Sequence, residues 1–378
     1  MQFATIEEAI AEIQEGRMVI IVDDEDRENE GDLMIAAEKV TPEAINFMAT
    51  HGRGLICLPM TGPRLDELQI PLMVSDHSNT SLYGTAFCVS IEARRNVSTG
   101  ISAFDRAQTV HTAIDPKTRP SDLARPGHIF PLRARDGGVL VRAGQTEASV
   151  DLAAISGLTP AAVICEIMKE DGTMARVPDL IEFAMHHGLK IITVAELIRY
   201  RLRTERFIGK VGETTLPTAY GDFRMVVFES VFDQQTHIAL VRGNIENGED
   251  VLVRVQTHCL TGHVFGSPAC HCHEQMDRAL EMIGQAGRGV LLYLHEMGRS
   301  RSSASILDYH GKHGVDSNET IGLHGEQREY GIGAQILAAL NIRSMRILTN
   351  HPRKLVALEA YGLKIAAQVP LTTVRTHK

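Results

Sequence analysis

Apolar positions near the start of the chain recur at helical spacing. In TIEEAIAEIQEG, Ile6, Ala9, Ile10 and Ile13 fall on one face, and Gly16 is placed to stop the helix. The period then changes: MVIIV (18–22) is a continuous apolar run of the kind a buried strand requires, and LMIAAE resumes after a polar interval. TPEAINFMATHG has Thr41 as N-cap, Pro42 at the first helical position and Gly52 at its end. TPAAVICEIM repeats that opening with Thr159 and Pro160, which predicts a helix carrying Glu166 on an apolar face. ARDGGVLVRAG reads as a turn at Asp136-Gly137-Gly138 leading into a strand, while RPGHIFPL (125–132) and RAGQTEA (142–148) read as turns carrying polar groups. VPDLIEFAMHHGLKIITVAELIRYRLR predicts a helix, a stop at Gly188, a strand and a last basic helix.

This alternation with short loops predicts an α/β (α+β) domain over residues 1–203. TERFIGKVGETTLPTAYGDFRMVVF then has the Gly, Pro and Thr content of a linker and hairpin, and a second unit is expected over 206–378. A length of 378 residues agrees with two domains, since single cores stop growing near ~250–300 residues. With 44% hydrophobic and 22% charged residues, the composition is that of a soluble globular chain. No apolar run approaches the ~18 residues that cross a bilayer, and the N-terminus lacks the features of a signal peptide. Six cysteines in so long a chain make no disulfide framework, so a reducing, cytoplasmic location is expected. A net charge of −9 argues against general nucleic-acid binding.

Charge changes the picture at one place. Asp23 to Asp32 holds seven carboxylates opposed by Arg27 alone, between two apolar runs that anchor it as a loop. Crowded carboxylates repel and are costly to bury without a cation. A Ca²⁺ loop fails, because the best register from Asp26 puts Ala37 where a bidentate Glu is needed. Two readings stay open: a solvated loop, or carboxylates holding Mg²⁺ against a phosphorylated substrate. Downstream, Arg142, a glycine backbone and Thr146 have the chemistry to grip a phosphate monoester. His128 and Arg142 read equally well as a buried histidine and a surface arginine.

In the second unit, CLTGHVFGSPACHC spaces Cys259, Cys270 and Cys272 as C-x₁₀-C-x-C among His258, His263, His271 and His273. Three thiolates with an open fourth position suit a catalytic Zn²⁺. The histidines are alternative ligands, so a closed structural site stays open, as do plainly structural cysteines.

VDDEDRENEGDL, YGTAF, SAFDRAQT, RPGHIFPL, RAGQTEASVDLA and CEIMKEDGTMAR resemble 3,4-dihydroxy-2-butanone 4-phosphate synthase, in order over about residues 3–200. LPTAYGDF, CLTGHVFGS, CHC, GRGVLLYLHEMGR and LTNHPRKL resemble GTP cyclohydrolase II, and the whole chain resembles the fused proteins of riboflavin biosynthesis. The resemblance implies that D-ribulose 5-phosphate is converted into formate and a four-carbon ketone phosphate with Mg²⁺ (or Mn²⁺). It implies that Arg27 binds substrate, Glu28 holds metal, Asp32 contacts sugar hydroxyls and Glu30 lies close by. Arg142 and Thr146 match the phosphate grip, Glu166 a substrate-contacting carboxylate, and His128 and Cys57 further active-site positions. A homodimer acting on small molecules is the assembly expected.

The chain departs from both families. Gln145 stands where the first has a metal-ligating His in RAGHT; an amide oxygen is a reasonable hard ligand for Mg²⁺. In the second, RVHSECLTGD and RCDCG become RVQTHCLTGH and ACHCH, the catalytic D-x-R becomes Glu326 and Arg328, and the tail after VPL is short. Arg299 and Lys354 match GTP-contacting positions. The expectation is Zn²⁺ bound by Cys259, Cys270 and Cys272 with weak or no GTP hydrolysis; the alternative is a bifunctional enzyme that also opens GTP.

Overall fold

The structure, a computed structural model, describes residues 3–24, 27–75, 78–231, 235–266, 271–295, 323–350 and 363–371, with the side chains of 260, 261 and 323–330 outside the description. Two compact units, Met1–Tyr200 and Arg201–Lys378, divide it. The two-domain α/β expectation is borne out.

The first unit is built on α1 (Ile6–Gln14), β1 (Val19–Val22), β2 (Gly31–Ala36), α2 (Pro42–Phe47), β3 (Cys57–Thr61), α3 (Gly62–Glu67), β4 (Ile91–Ala93) and α4 (Ala103–Ile114). β5 (Leu123–Ala134), α5 (Gln145–Ile155), β6 (Ala162–Glu166), α6 (Val177–His187), β7 (Lys190–Thr193) and α7 (Val194–Thr204) follow, α7 running across the boundary. The seven strands form one mixed sheet in the order β4-β5-β3-β6-β2-β1-β7. β1 and β2 are buried at every position, so side chains of both alternations need cover. Ile20, Val22, Leu33, Ile35, Leu58 and Val163 pack with Ile45 and Met48, with Val110 of α4 and with Leu180 of α6. The alternate residues lie under α5, which packs on β1, β2, β3, β5 and β6.

Local chemistry explains several ends. Thr5 caps α1 and forms a capping box with Glu8; Thr41 caps α2, which continues as a π-turn at Met48–Gly52 and stops at left-handed Arg53. Gly188 ends α6 in the left-handed region.

Four expectations need correction. TPAAVICEIM is not a helix: Ala162–Glu166 is the central strand β6, with Ala162 to Cys165 all buried. RPGHIFPL lies inside β5, where pairing with β4 shifts between Ile91↔Ile129 and Glu92↔Ala124, so the Pro-Gly stretch falls in an irregular part of the ladder. Gly138–Leu140 forms a 3₁₀ turn instead of entering a strand, and from Gln145 RAGQTEA is the first turn of α5.

The second unit has β8 (Ile208–Thr218), β9 (Gly221–Ser230), β10 (Thr236–Arg242), β11 (Val251–Thr257), α8 (Cys272–Ala286), β12 (Gly289–Leu294), α9 (Leu323–Ala339), β13 (Ser344–Leu348) and β14 (Lys364–Val369). Its sheet runs β14-β13-β11-β12-β10-β9-β8. The expected hairpin is the β8–β9 pair. β14, β13, β11 and β12 are parallel neighbours, and β12, β10, β9 and β8 are antiparallel. Phe223, Leu252, Leu291, Ala279 and Ile283 form its core under α8. Among the described residues no helix is long and apolar enough to cross a membrane.

Candidate active site

The acidic segment is a tight loop folded around its own first carboxylate. Asp23 accepts the N–H of Glu28 (3.1 Å) and of Glu30 (2.9 Å), and Arg27 Nη1 at 2.6 Å. Asn29 takes a left-handed φ of 54°, which turns the chain back into β2. Gly31 follows because α6 leaves no room there: a Cβ would lie 2.5 Å from Leu180 Cδ1.

Arg27 ties this loop to a segment more than a hundred residues away. Its Nη2 lies 2.8 Å from Glu28 Oε1, and its Nη1 donates to Gln145 Oε1 at 2.9 Å. Gln145 Nε2 faces the Glu30 carbonyl at 3.4 Å. Gln145 and Thr146, both buried, form the first turn of α5, whose free N–H groups suit an anion. Arg142 stands beside them, its Nη1 2.6 Å from buried Glu147 and its Nη2 bonded to Tyr83 O and Thr85 Oγ1. Gly144 sits between the two guanidinium groups, a Cβ there meeting Arg142 Nη1 at 2.6 Å and Arg27 Nη2 at 3.1 Å.

On the sheet itself, Asp32 of β2 is paired with Glu166 of β6, and Cys57 of β3 with Ile164. Strand alternation therefore puts Asp32, Glu166 and Cys57 on the α5 face and Cys165 on the other. Leu55 N–H donates to Glu166 Oε2 at 2.8 Å. Gly54 packs on Glu166 so closely that a Cβ would be 2.5 Å from its carbonyl oxygen. Burial is the largest cause lifting Asp32 well above the usual carboxylate range, and Glu166, Glu28, Asp23 and Glu30 add to it. Glu28 is raised by burial, then by Asp23 and Glu166, against Arg27 and Arg142. Glu30 is raised by burial and Glu28, against Arg176. Burial also pushes the Cys57 thiol far up, with Glu166 and Asp32 contributing, so it is a neutral thiol.

These groups fit a hard divalent cation. The donors are oxygens, the carboxylates raise one another's pKa, and the buried Asn29 Oδ1 has no hydrogen-bond partner. Among the described residues no three His, Cys, Asp or Glu groups are placed to hold a metal ion. Mg²⁺ does not require that, since it commonly takes one or two carboxylates and completes its shell with water and substrate oxygens. His128 lies on β5, the neighbour of β3, two residues from the Phe130 that pairs with Cys57, and its Nδ1 is 2.6 Å from Glu92 of β4.

In the second unit, Cys259 follows β11 and Cys272 opens α8, the ends of parallel strands and a helix start being a usual ligand position. Both cysteines lie beside Tyr293, whose hydroxyl is raised by burial first and then by Cys259 and Cys272. That hydroxyl is 2.7 Å from His258 Nδ1 and 3.1 Å from His263 Nδ1. Buried Arg254 is bonded to Gln256, Gln275 and the Leu348 carbonyl, and burial brings it down to about 10. Cys270, Arg299 and Lys354 lie outside the described residues, as do the side chains of Glu326 and Arg328 on α9.

Four supporting residues escaped the sequence reading: Asp23, Tyr83, Glu147 and Arg176. Asp23 was one of seven carboxylates with no mark of its own. Tyr83, Glu147 and Arg176 sit inside YGTAF, RAGQTEASVDLA and CEIMKEDGTMAR, and those short polar-rich stretches were the available signal.

The family model of 3,4-dihydroxy-2-butanone 4-phosphate synthase matches residues 7–200, and that of GTP cyclohydrolase II residues 209–370. The Riboflavin biosynthesis protein RibBA of Aquifex aeolicus (strain VF5) is 54% identical over 98% of this chain and 93% of that protein. The RibBA of Endomicrobium trichonymphae is 50% identical over 98% and 92%. Among solved structures, RibBX, a two-domain 3,4-dihydroxy-2-butanone 4-phosphate synthase from A. baumannii, is 38% identical with a TM-score of 0.79, covering 98% of this chain and all of that one. A 3,4-dihydroxy-2-butanone 4-phosphate synthase in complex with two magnesium ions is 42% identical with a TM-score of 0.51, covering 53% of this chain and 98% of that one. The chain belongs to the 3,4-dihydroxy-2-butanone 4-phosphate synthase family, as an enzyme of riboflavin biosynthesis whose second domain is of the GTP cyclohydrolase II type.

Proposed function

We propose that the first unit converts D-ribulose 5-phosphate into 3,4-dihydroxy-2-butanone 4-phosphate and formate. The observation that carries this reading is Arg27, which joins Glu28 of the acidic loop to Gln145 at the start of α5, beside Arg142. The phosphate is received by the α5 N-terminus at Thr146 and by Arg142, which leaves the sugar hydroxyls toward Asp32 and Glu166. Asp32, whose proton burial holds more tightly than usual, donates to a hydroxyl, and Glu166, with Leu55 N–H on its Oε2, accepts a proton from the sugar. Glu30 and the neutral Cys57 thiol border the same space. His128, paired with Glu92, is a further active-site candidate on the neighbouring strand β5. Mg²⁺ (or Mn²⁺) would be held by Glu28, and by Gln145 once its oxygen turns from Arg27. When bound, the ion supplies positive charge beside oxygens that become anionic as the ketose enolises.

For the second unit the reading is one Zn²⁺ on Cys259, Cys270 and Cys272 with weak or no GTP hydrolysis. It is supported by His258 and His263, imidazoles around Tyr293 where the resembled family carries acids, and by Arg254, whose guanidinium donates to the Gln256 and Gln275 amides and the Leu348 carbonyl. A fully bifunctional enzyme is the second reading, favoured by the 54% identity to a RibBA protein. A cytoplasmic homodimer is proposed on the sequence alone.

The test is formate release from D-ribulose 5-phosphate and from GTP, measured separately on the Mg²⁺- and Zn²⁺-replete chain. Formate from the sugar phosphate alone supports the reading. Comparable turnover of GTP, lost in Cys270→Ser, supports the second one.

A further inference from the structure

The backbone of the acidic loop is fully paired from Arg27 to Glu30. The four N–H groups go to Asp23 and Asp24: Arg27 N and Asn29 N to the Asp24 carbonyl, Glu28 N and Glu30 N to the Asp23 carboxylate. The Glu30 carbonyl receives Asp23 N. The remaining three carbonyls, of Arg27, Glu28 and Asn29, take their donors from outside the loop. Tyr83 Oη donates to Arg27 O. Arg176 Nη1 donates to both Glu28 O at 2.7 Å and Asn29 O at 2.5 Å, and lies 3.7 Å from Glu30 Oε1.

Arg176 belongs to the same hairpin as Glu166. From Glu166 the chain turns through Lys169–Thr173 and returns alongside itself, Ala175 N donating to Ile167 O, before α6 begins. One hairpin thus places a carboxylate on the α5 face of the sheet and a guanidinium on the outer carbonyls of the loop that carries Glu28. The left-handed Asn29 lies between the two carbonyls that Arg176 holds, so this cation fixes the turn that aims the Glu28 side chain.

We propose that Arg176 is a positioning residue: by holding the Glu28 and Asn29 carbonyls it sets the Glu28 carboxylate relative to Glu166, and with it the affinity of the loop for a divalent cation. This rests on the reading that Glu28 holds the ion. The guanidinium acts through the backbone carbonyls it holds, with the Glu30 carboxylate 3.7 Å away. Its side chain is 44% exposed, and the cap of α6 uses Arg176 N–H on Asp179, so replacing the side chain leaves core and cap in place.

The experiment compares Mn²⁺ binding without substrate, followed by the free-ion signal in electron paramagnetic resonance, for the wild-type chain, Arg176→Met and Arg176→Lys. Formate release against Mg²⁺ concentration is recorded in parallel. Losing such an outer-shell group typically weakens metal binding or activity by about 10- to 100-fold. Arg176→Met should weaken Mn²⁺ binding and raise the Mg²⁺ requirement by about that factor. KM for the sugar phosphate at saturating Mg²⁺ should change less than about threefold, and Arg176→Lys or added guanidinium should restore part of the loss. Mn²⁺ binding by Arg176→Met within twofold of wild type, or a loss explained by a fall in Tm, overturns the proposal. A wild-type chain that binds Mn²⁺ in the Arg176-dependent way but releases no formate overturns the functional reading and leaves this one standing.

Discussion

Asp32 and Glu166 face each other across β2 and β6 in antiparallel register, both on the face that α5 covers. Two carboxylates so placed cannot both carry full charge cheaply, and burial, with the Glu166 charge next in effect, lifts Asp32 well above its usual range.

The lift makes Asp32 a source of pH-dependent instability. Its folded pKa is above the unfolded value, so between the two the folded chain binds more protons, and stability falls as pH rises through that window. Asp32→Asn removes the cost. The variant should melt above wild type at pH 8, the gap should narrow toward pH 5, and formate release should be lost. A gap that widens on acidification would contradict the assignment.

Glu147 is 1% exposed and holds Arg142 at 2.6 Å. Glu147→Gln leaves that guanidinium without its buried anion, and breaking such a pair costs about 3 kcal/mol. Arg142→Lys keeps the charge but loses the fork that binds Tyr83 and Thr85, so its KM for the sugar phosphate should rise about tenfold or more. Steady-state kinetics showing an unchanged KM in Arg142→Lys would remove Arg142 from the phosphate grip.

Gly31 is fixed by Leu180. With a Cβ only 2.5 Å from Leu180 Cδ1, Gly31→Ala should cost about 1–3 kcal/mol through overpacking. Because the two residues share one space, Gly31→Ala with Leu180→Ala should be no less stable in urea than Leu180→Ala alone. Full additivity would place the glycine requirement elsewhere.

Gln145 offers a different kind of test, since its amide oxygen is held by Arg27 at 2.9 Å. Gln145→His substitutes imidazole, which suits Mn²⁺ and Zn²⁺ better than Mg²⁺. Activity should be kept, with the Mn²⁺-to-Mg²⁺ activity ratio shifted upward. If Gln145→Ala leaves activity and metal dependence unchanged, the residue is no ligand.

Much of the fold was legible where one period dominated. α1, β1 and the α6–β7–α7 run follow from spacing and from Gly188. Thr159-Pro160 imitates the Thr41-Pro42 start of α2 and so predicts a helix at Glu166, while the short apolar run after it fits a buried strand or a buried helix equally well. RPGHIFPL predicts a turn because Pro and Gly punctuate exposed chain, whereas here they fall where the β4–β5 register shifts. The carboxylates and Arg142 could be singled out because charge beside apolar runs needs a reason. Asp23, Glu147 and Arg176 could not, because their importance lies in which atoms they meet: Asp23 meets N–H groups of its own loop, and Arg176 meets carbonyls nearly 150 residues away.

The central claim is that the acidic loop is a metal-dependent site for a ketose phosphate, with Glu28 its metal-holding carboxylate. The direct measurement is formate released from D-ribulose 5-phosphate by wild type and Glu28→Gln, with Mg²⁺ and after chelation, alongside circular dichroism to confirm folding. The expected result is Mg²⁺-dependent formate from wild type and a loss of at least about 100-fold in the folded variant. Full activity in Glu28→Gln, or wild-type activity that survives chelation, would contradict it.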